Sequence, residues 1–408
     1  MAEVESMKKT KRSFINRILW RIGIASVGLC SFLAVVCGLG DYLYPDSLSC
    51  YCGTQLSSKA LFDLDARESS SCVEGQVRFL GAIPIKNVKV RYYEKNSLVP
   101  GGMSFGLKVE TKGLTVTSLD GFYSGGKQVF PAKDAGILQG DQIISVNGME
   151  LSDNTQLVKM VEKSNGEKLE LLVERGGERL SFELRPFFCD SEKKYRAGLW
   201  VKDSAAGIGT VTYFDPVDGS FGGLGHGITD KGTGEVSEIL SGKVYSVRLE
   251  GVVKGKQGDP GELRGSFVGA PVGIIEKNTA SGVFGKYSRL PKTEAEAVEI
   301  GLKDEVNTGE ARILCAVDGE GVKSYEVMIE KIISKDTPTK NLLIRVTDPE
   351  LLSLTGGIVQ GMSGSPIIQN GKLVGAVTHV LVNDPTRGYG IFIENMLDAA
   401  EMPMAKAS

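Results

Sequence analysis

Histidine is almost missing from this chain: His226 and His379 are the only two among 408 residues. No Cys-x-x-Cys pair occurs, and the seven cysteines, Cys30, Cys37, Cys50, Cys52, Cys72, Cys189 and Cys315, are odd in number and irregularly spaced. A zinc site needs imidazoles and thiolates grouped more tightly than that, and a disulfide framework needs an even, regular set, so neither organises this fold. Pairing among Cys50, Cys52 and Cys72 stays open if the compartment is oxidising. Proline is sparse, at 14 residues, and with no Gly-X-Y period a collagen-like chain is excluded. Charge of one sign is lacking too: the net charge is −3, with acidic and basic residues mixed along most of the chain, which leaves no footprint for nucleic acid. At 41% hydrophobic and 24% charged residues the chain is not a disordered one.

Glycine is what the chain has in excess. There are 52 glycines, against about 29 at the usual ~7% frequency. That excess points to many tight turns between short strands, hence to a mainly β protein, and the length allows about two or three domains.

Residues 8 to 21 hold Lys8, Lys9, Lys11, Arg12, Arg17 and Arg21, and Ile22 to Gly40 then runs without a charge. As a helix that run is roughly 28 Å long, close to the ~30 Å of a bilayer's hydrocarbon. Trp20 stands at one edge and Tyr42 and Tyr44 at the other, where interfacial aromatics belong. The expectation is a basic cytoplasmic tail (1–21), a single transmembrane anchor (22–40) and everything beyond Asp41 across the membrane; the alternative is a cleaved signal peptide ending near Gly38-Leu39-Gly40. Residues 41–97 read as an extracytoplasmic tether, polar and mobile up to about 75, with short apolar runs between Val77 and Val90.

Residues 98–187 form a compact module. Pro131-Ala132-Lys133-Asp134-Ala135-Gly136-Ile137-Leu138 precedes Gly140-Asp141-Gln142-Ile143-Ile144-Ser145-Val146-Asn147-Gly148, and the pattern resembles a PDZ domain. Ser152-Asp153 caps a helix with Leu157, Val158 and Val161 on one face, and Gly176-Gly177 joins two strands as a hairpin. In PDZ domains a peptide adds as a strand beside a Φ-G-Φ loop, and Ser104-Phe105-Gly106-Leu107 fits that loop as the peptide clamp; the alternative is that Phe105 and Leu107 are core residues.

Residues 190–400 read as successive short strands, enough for two packed β-barrels of ~100 residues each. Thr293 and Glu296, in capping-box spacing, suggest one short helix over Thr293 to Leu302. Near the end stands Gly361-Met362-Ser363-Gly364-Ser365-Pro366, then two apolar stretches around a Gln369-Asn370-Gly371-Lys372 turn. A serine in such a glycine-flanked turn can serve as an acyl-transfer nucleophile, with the N–H groups of Gly361 and Ser363 aimed at a developing oxyanion. The stretch resembles the nucleophile loop of chymotrypsin-fold serine peptidases, so the expected architecture is a membrane-anchored, mainly β chain in which a small α+β PDZ domain precedes a double β-barrel. In that fold the base comes from the first barrel, which selects His226, in Gly225-His226-Gly227, and leaves His379 as a hydrogen-bonded residue beside the pocket. For the third member spacing alone leaves Asp348 open against Asp230; Asp215, Asp218 and Asp384 sit in turn-like surroundings.

The motifs GLGHGITD, TDPELLSLTGGIVQGMSGSPI and GKLVGAVTHVLVNDPTRGYGI, with the anchor and the PDZ-like module, resemble the stage IV sporulation protein B peptidases over essentially the full chain. The resemblance implies His226, Asp348 and Ser363 as the catalytic residues and requires no metal or cofactor. It implies a signalling serine endopeptidase of the forespore inner membrane, working in the space between the forespore membranes. Such a peptidase cleaves itself near the N-terminus and cuts the regulatory subunit of a membrane-embedded metalloprotease, so that a late sigma-factor precursor is processed. Gly227, directly after the histidine, departs from the bulkier residues common there, which is expected to loosen the base. The competing readings are an envelope quality-control protease, in which the PDZ comes after the protease instead of preceding it, and a non-catalytic PDZ adaptor.

Overall fold

The computed structural model describes residues 2–401 apart from 53, 55, 57, 58, 60, 67–71, 94–96, 152, 230–233, 292, 294 and 336; Ser152 and Asp230 therefore lie outside the described residues. The chain divides into two units, Met1–Asn96 and Ser97–Ser408.

The first unit opens with α1 (Ala2–Leu43), in which an 18-residue window of the stretch Leu19–Leu43 has a mean hydropathy of 2.3 and is almost wholly unburied. By length and composition this is a candidate single membrane-spanning anchor. Among its described residues, the segment after α1 is folded where a tether was expected. Strands β1 (Ser47–Tyr51), β2 (Phe62–Asp65), β3 (Cys72–Phe79) and β4 (Ile83–Tyr93) form one sheet in the order β1-β4-β3-β2. Apolar residues spaced among the polar ones, Phe62, Val77, Phe79, Val88, Val90 and Tyr92, gather with Val36 and Tyr44 into a small core, which ordinary polar composition concealed.

The second unit is built on two closed rings. Its labelled elements in chain order begin with β5 (Ser104–Leu119), β6 (Gln142–Val146), α2 (Asn154–Lys163), β7 (Leu169–Arg175) and β8 (Glu178–Leu184). Then come β9 (Leu199–Phe214), β10 (Ser220–Gly223), β11 (Ile239–Val253), β12 (Glu262–Thr279) and β13 (Gly282–Tyr287). The pairings β5–β11, β11–β12, β12–β13, β13–β10, β10–β9 and β9–β5 close barrel one around Phe105, Leu107, Val109, Val211, Phe221 and Val244. Barrel two is closed by β14 (Gly309–Cys315), β15 (Lys323–Ile332), β16 (Leu342–Val346), β17 (Pro366–Gln369), β18 (Lys372–Leu381) and β19 (Asp384–Phe392), with α3 (Pro349–Thr355) between β16 and β17 and α4 (Ile393–Glu401) at the end. The β17–β18 turn is the expected one, with Asn370 and Gly371 at φ 53° and 77°, as a two-residue hairpin requires.

The PDZ module has its own core of Leu114, Val116, Ile143, Val146, Leu157, Val161, Leu171 and Leu184. Asp153 caps α2 by accepting from Gln156 N–H at 3.0 Å, and the Gly176-Gly177 hairpin is present. Val158, expected on the apolar face, is exposed instead. The module does not separate at residues 98 and 187. Strand β5 passes from barrel one into the PDZ sheet, bending at Gly113 (φ 76°), where a Cβ would stand 2.7 Å from Ile143 O. Leu199–Lys202 of β9 pair with Leu119–Thr115 on the way back, so two continuous strands carry both modules.

No helix forms over Thr293–Leu302 among the described residues. Val298–Glu299 is a short strand beside Leu98 and Ser97, and Ile300 and Leu302 are buried in the second unit. The Thr293 hydroxyl accepts from Ala295 N–H instead of capping a helix.

Candidate active site

The nucleophile loop is held from both barrels. Gly361 and Gly364 take φ of 100° and 98°, backbone that a side chain resists. At Gly364 the demand is absolute in space as well, because a Cβ there would stand 1.9 Å from Thr210 O and 2.6 Å from Leu224 N. Thr210 of β9 donates its N–H to Ser363 O at 2.9 Å and its hydroxyl to Gly361 O at 2.8 Å, and the Thr212 hydroxyl donates to Gly364 O at 2.8 Å. Both threonines are buried, so three carbonyls of a barrel-two loop are satisfied by barrel one. Their signal in the sequence was a polar pair alternating with the barrel-one core residue Val211 in Gly209-Thr210-Val211-Thr212-Tyr213, which alternation alone reads as an ordinary strand with one face to solvent.

The carbonyl contacts leave the amides turned elsewhere. Met362, Gly364 and Ser365 donate their N–H groups to Val359 O, Val377 O and Met362 O at 3.1, 2.7 and 2.9 Å. Those of Gly361 and Ser363 have no partner among the described residues. Two such N–H groups, two residues apart in one tight turn, can donate to a single incoming oxygen. The Ser363 hydroxyl, half-buried, donates to Thr378 O at 2.5 Å.

His226 is delivered by a strained turn after β10. Leu224 and Gly225 adopt φ of 65° and 67°, a left-handed conformation that is costly for leucine, and Gly225 fits against Thr378 and Ile391, with its Cβ position 2.9 Å from Thr378 Cγ2. The imidazole Nδ1 lies 2.9 Å from Gly227 O; donating there, it leaves Nε2 as the basic nitrogen. Burial pushes the imidazole pKa below its ordinary value, and the Gly227 carbonyl opposes this only in part. Gly227 is buried, and a Cβ at this position would stand 2.6 Å from Thr279 O, so a bulkier residue here would have to shift the backbone. The next residue is clamped by Asn278, which accepts from Ile228 N–H and donates to Ile228 O and Ser237 O at 2.8, 2.9 and 2.9 Å.

The chain's two histidines meet. The ring of His379, on β18 beside Thr378, lies 4.5 Å from that of His226 at 37°. His379 is an exposed residue; desolvation on the side packed against His226, then the charge on His226 and the Lys340 ammonium, lowers its pKa to about 4.

No hydrogen bond joins Asp348 to His226 among the described residues. Its carboxylate caps α3, accepting from Leu351 N–H at 3.0 Å and from Glu326 N–H at 3.2 Å. Asp348 lies two residues past the end of β16, where the N–H groups of Thr347 and Asp348 both donate to Glu326 O at 3.1 Å. The sequence carried the reason: Asp348-Pro349-Glu350 is a helix start, with a capping carboxylate, proline at the first helical position and an acid in the first turn.

The expected PDZ clamp is elsewhere too. Ser104, Phe105, Gly106 and Leu107 pair with Thr210 to Gly207 on one side and, from Phe105 onward, with Ser246 to Val244 on the other. With both edges occupied no peptide strand can add there, and Phe105 and Leu107 are barrel-one core.

A family model described as SpoIVB peptidase S55 matches residues 193–397, and one for the PDZ domain matches residues 101–185. Among solved structures, the chain is similar to an inactive form of Rv3671c protease at 15% identity and a TM-score of 0.28, covering 47% of this chain and 82% of that one. It is similar also to the active form of Rv3671c protease from M. tuberculosis, at 16% identity and a TM-score of 0.31, covering 48% and 75%.

Proposed function

The chain belongs to the SpoIVB peptidase S55 family, and on that premise we propose that this serine peptidase is a sporulation-signalling endopeptidase with Ser363 as nucleophile, His226 as general base and the N–H groups of Gly361 and Ser363 as oxyanion donors. The observation that carries the chemistry is the pair of unpartnered amides at a glycine-flanked serine whose hydroxyl bonds Thr378 O, next in sequence to the His379 ring that meets the Nδ1-tethered His226. The Ser363 hydroxyl leaves Thr378 O and gives its proton to His226 Nε2 as its oxygen bonds the scissile carbonyl carbon. The carbonyl oxygen takes the electron pair and is held by the two amides, each such donor contributing about 3 kcal/mol. Collapse expels the amine, protonated by His226, and water then releases the acyl group by the same route. The Gly227 carbonyl takes the orienting role given to a carboxylate in a triad.

The family description supports the signalling part. The substrates are the chain itself and the regulatory subunit of a membrane-embedded metalloprotease that processes a late sigma-factor precursor. The anchor is single-pass in the forespore inner membrane, with the second unit between the forespore membranes. The test is mass spectrometry of the full chain in liposomes, as wild type and as Ser363→Ala. Discrete fragments confined to the wild type are expected; equal fragmentation of both, or none in either, removes the self-cleaving peptidase.

A further inference from the structure

The turn between β3 and β4, Leu80-Gly81-Ala82-Ile83-Pro84, is five exposed residues without a charge. Leu80 is 62% and Ile83 45% exposed, and Leu61, whose carbonyl accepts from Leu80 N–H at 2.8 Å, is 56% exposed. Leu80 holds φ 53°, a left-handed conformation that glycine or asparagine adopts with ease and leucine does not. A strained backbone that keeps a large apolar side chain in the open calls for something apolar to receive it.

The same unit shows what that is. Lys86 Nζ bonds Asp41 and Asp46 at 3.0 and 2.9 Å, and Lys59 Nζ reaches Leu43 O at 3.4 Å, so the polar groups cluster at the end of α1. Ile83 precedes Lys86 by three residues, ~10 Å of strand. Phe79, at the base of the turn, packs edge-on against Phe32 with ring centroids 6.0 Å apart. Phe32 lies nine residues before Asp41, ~13 Å of helix, inside the unburied apolar window. The turn therefore lies on the apolar side of the polar cluster, next to the anchor. The nearest charges are Asp63, whose carboxylate lies 3.4 Å from the Cβ position of Gly81, and the Arg78–Asp65 pair at 3.6 Å, with Arg78 opposite Pro84.

We propose that the β3–β4 turn, with Leu61, Leu80 and Ile83, is a second membrane contact that dips into the bilayer beside α1 and fixes the small sheet on the membrane surface. Its occupant is lipid, because its apolar surface continues that of α1 through Phe79 and Phe32. The proposal rests on α1 being the anchor. The test uses the full chain in phosphatidylcholine liposomes that carry a trace of lipid with a photoactivatable acyl chain, with cross-linked peptides mapped by mass spectrometry. Cross-links in both α1 and residues 79–84 are expected, and the Leu80→Glu, Ile83→Glu double variant should lose those at the turn while keeping those in α1. Cross-links in α1 with none at the turn, or turn cross-links unchanged in the double variant, overturn the proposal and leave the anchor standing. No cross-links in α1 remove the anchor and the proposal together.

Discussion

Asp348→Asn separates two accounts of this active site. In a Ser-His-Asp triad, replacing the aspartate by asparagine removes the charge that orients and balances the imidazolium, and costs about 10⁴-fold in kcat. Here the carboxylate instead receives Leu351 N–H at 3.0 Å and Glu326 N–H at 3.2 Å. Asparagine is as good an N-cap as aspartate, so the bond from Leu351 persists through the amide oxygen. The amide nitrogen cannot accept from Glu326, and losing that one bond costs about 1 kcal/mol. For a unit of this size that lowers Tm by about 2 °C. The expected outcome is kcat/KM within about threefold of wild type, measured on a peptide from the self-cleavage site, together with the small drop in Tm. A loss of about 10³-fold or more with Tm unchanged refutes the capping account and returns Asp348 to the catalytic machinery.

The two histidines should separate as cleanly. His226→Ala is expected to lower kcat by about 10³-fold or more, His379→Ala by less than about tenfold, and the reverse order in a single-turnover assay would reassign the base. Gly364→Ala places a methyl 1.9 Å from Thr210 O at φ 98°, which should cost about 2–5 kcal/mol and be read as a fall in denaturation midpoint; an unchanged midpoint would mean the loop is not clamped as described. In pH profiles, burial disfavours the charged form of His226, so the acidic limb of kcat/KM should lie below the ordinary ~6.5; a limb above 6.5 contradicts this. Both imidazoles are lowered in the folded state, so the unfolded chain binds more protons below pH 6.5. Stability should therefore fall as pH drops from 6.5 towards about 4, where folded His379 protonates, and His379→Ala should lessen the fall in thermal melts. Stability that holds level or rises over that window counts against the lowered pKa values of the two histidines.

Local chemistry alone determined a good deal. The uncharged run before Asp41, the PDZ pattern, the Asn370-Gly371 hairpin and the glycine-flanked Ser363 are short-range statements, and short-range sterics and hydropathy fix them. The choice of His226 came from chain order. The tertiary structure decided everything that depends on long pairing. A strand of period two does not name its partner, so Ser104–Leu107 could be assigned to a PDZ groove until β9 and β11 were seen on both its edges. A residue fifteen positions before the serine can be triad or cap, and only the folded chain shows its carboxylate taken up by Leu351 N–H and, from β15, by Glu326 N–H. Thr210 and Thr212 hold the nucleophile loop from about 150 residues away, through hydrogen bonds that exist only once two barrels are packed. The sequence specifies which residues can do chemistry because that depends on side chains and backbone torsions; which of them meet is fixed by non-local strand register, to which no short motif has access.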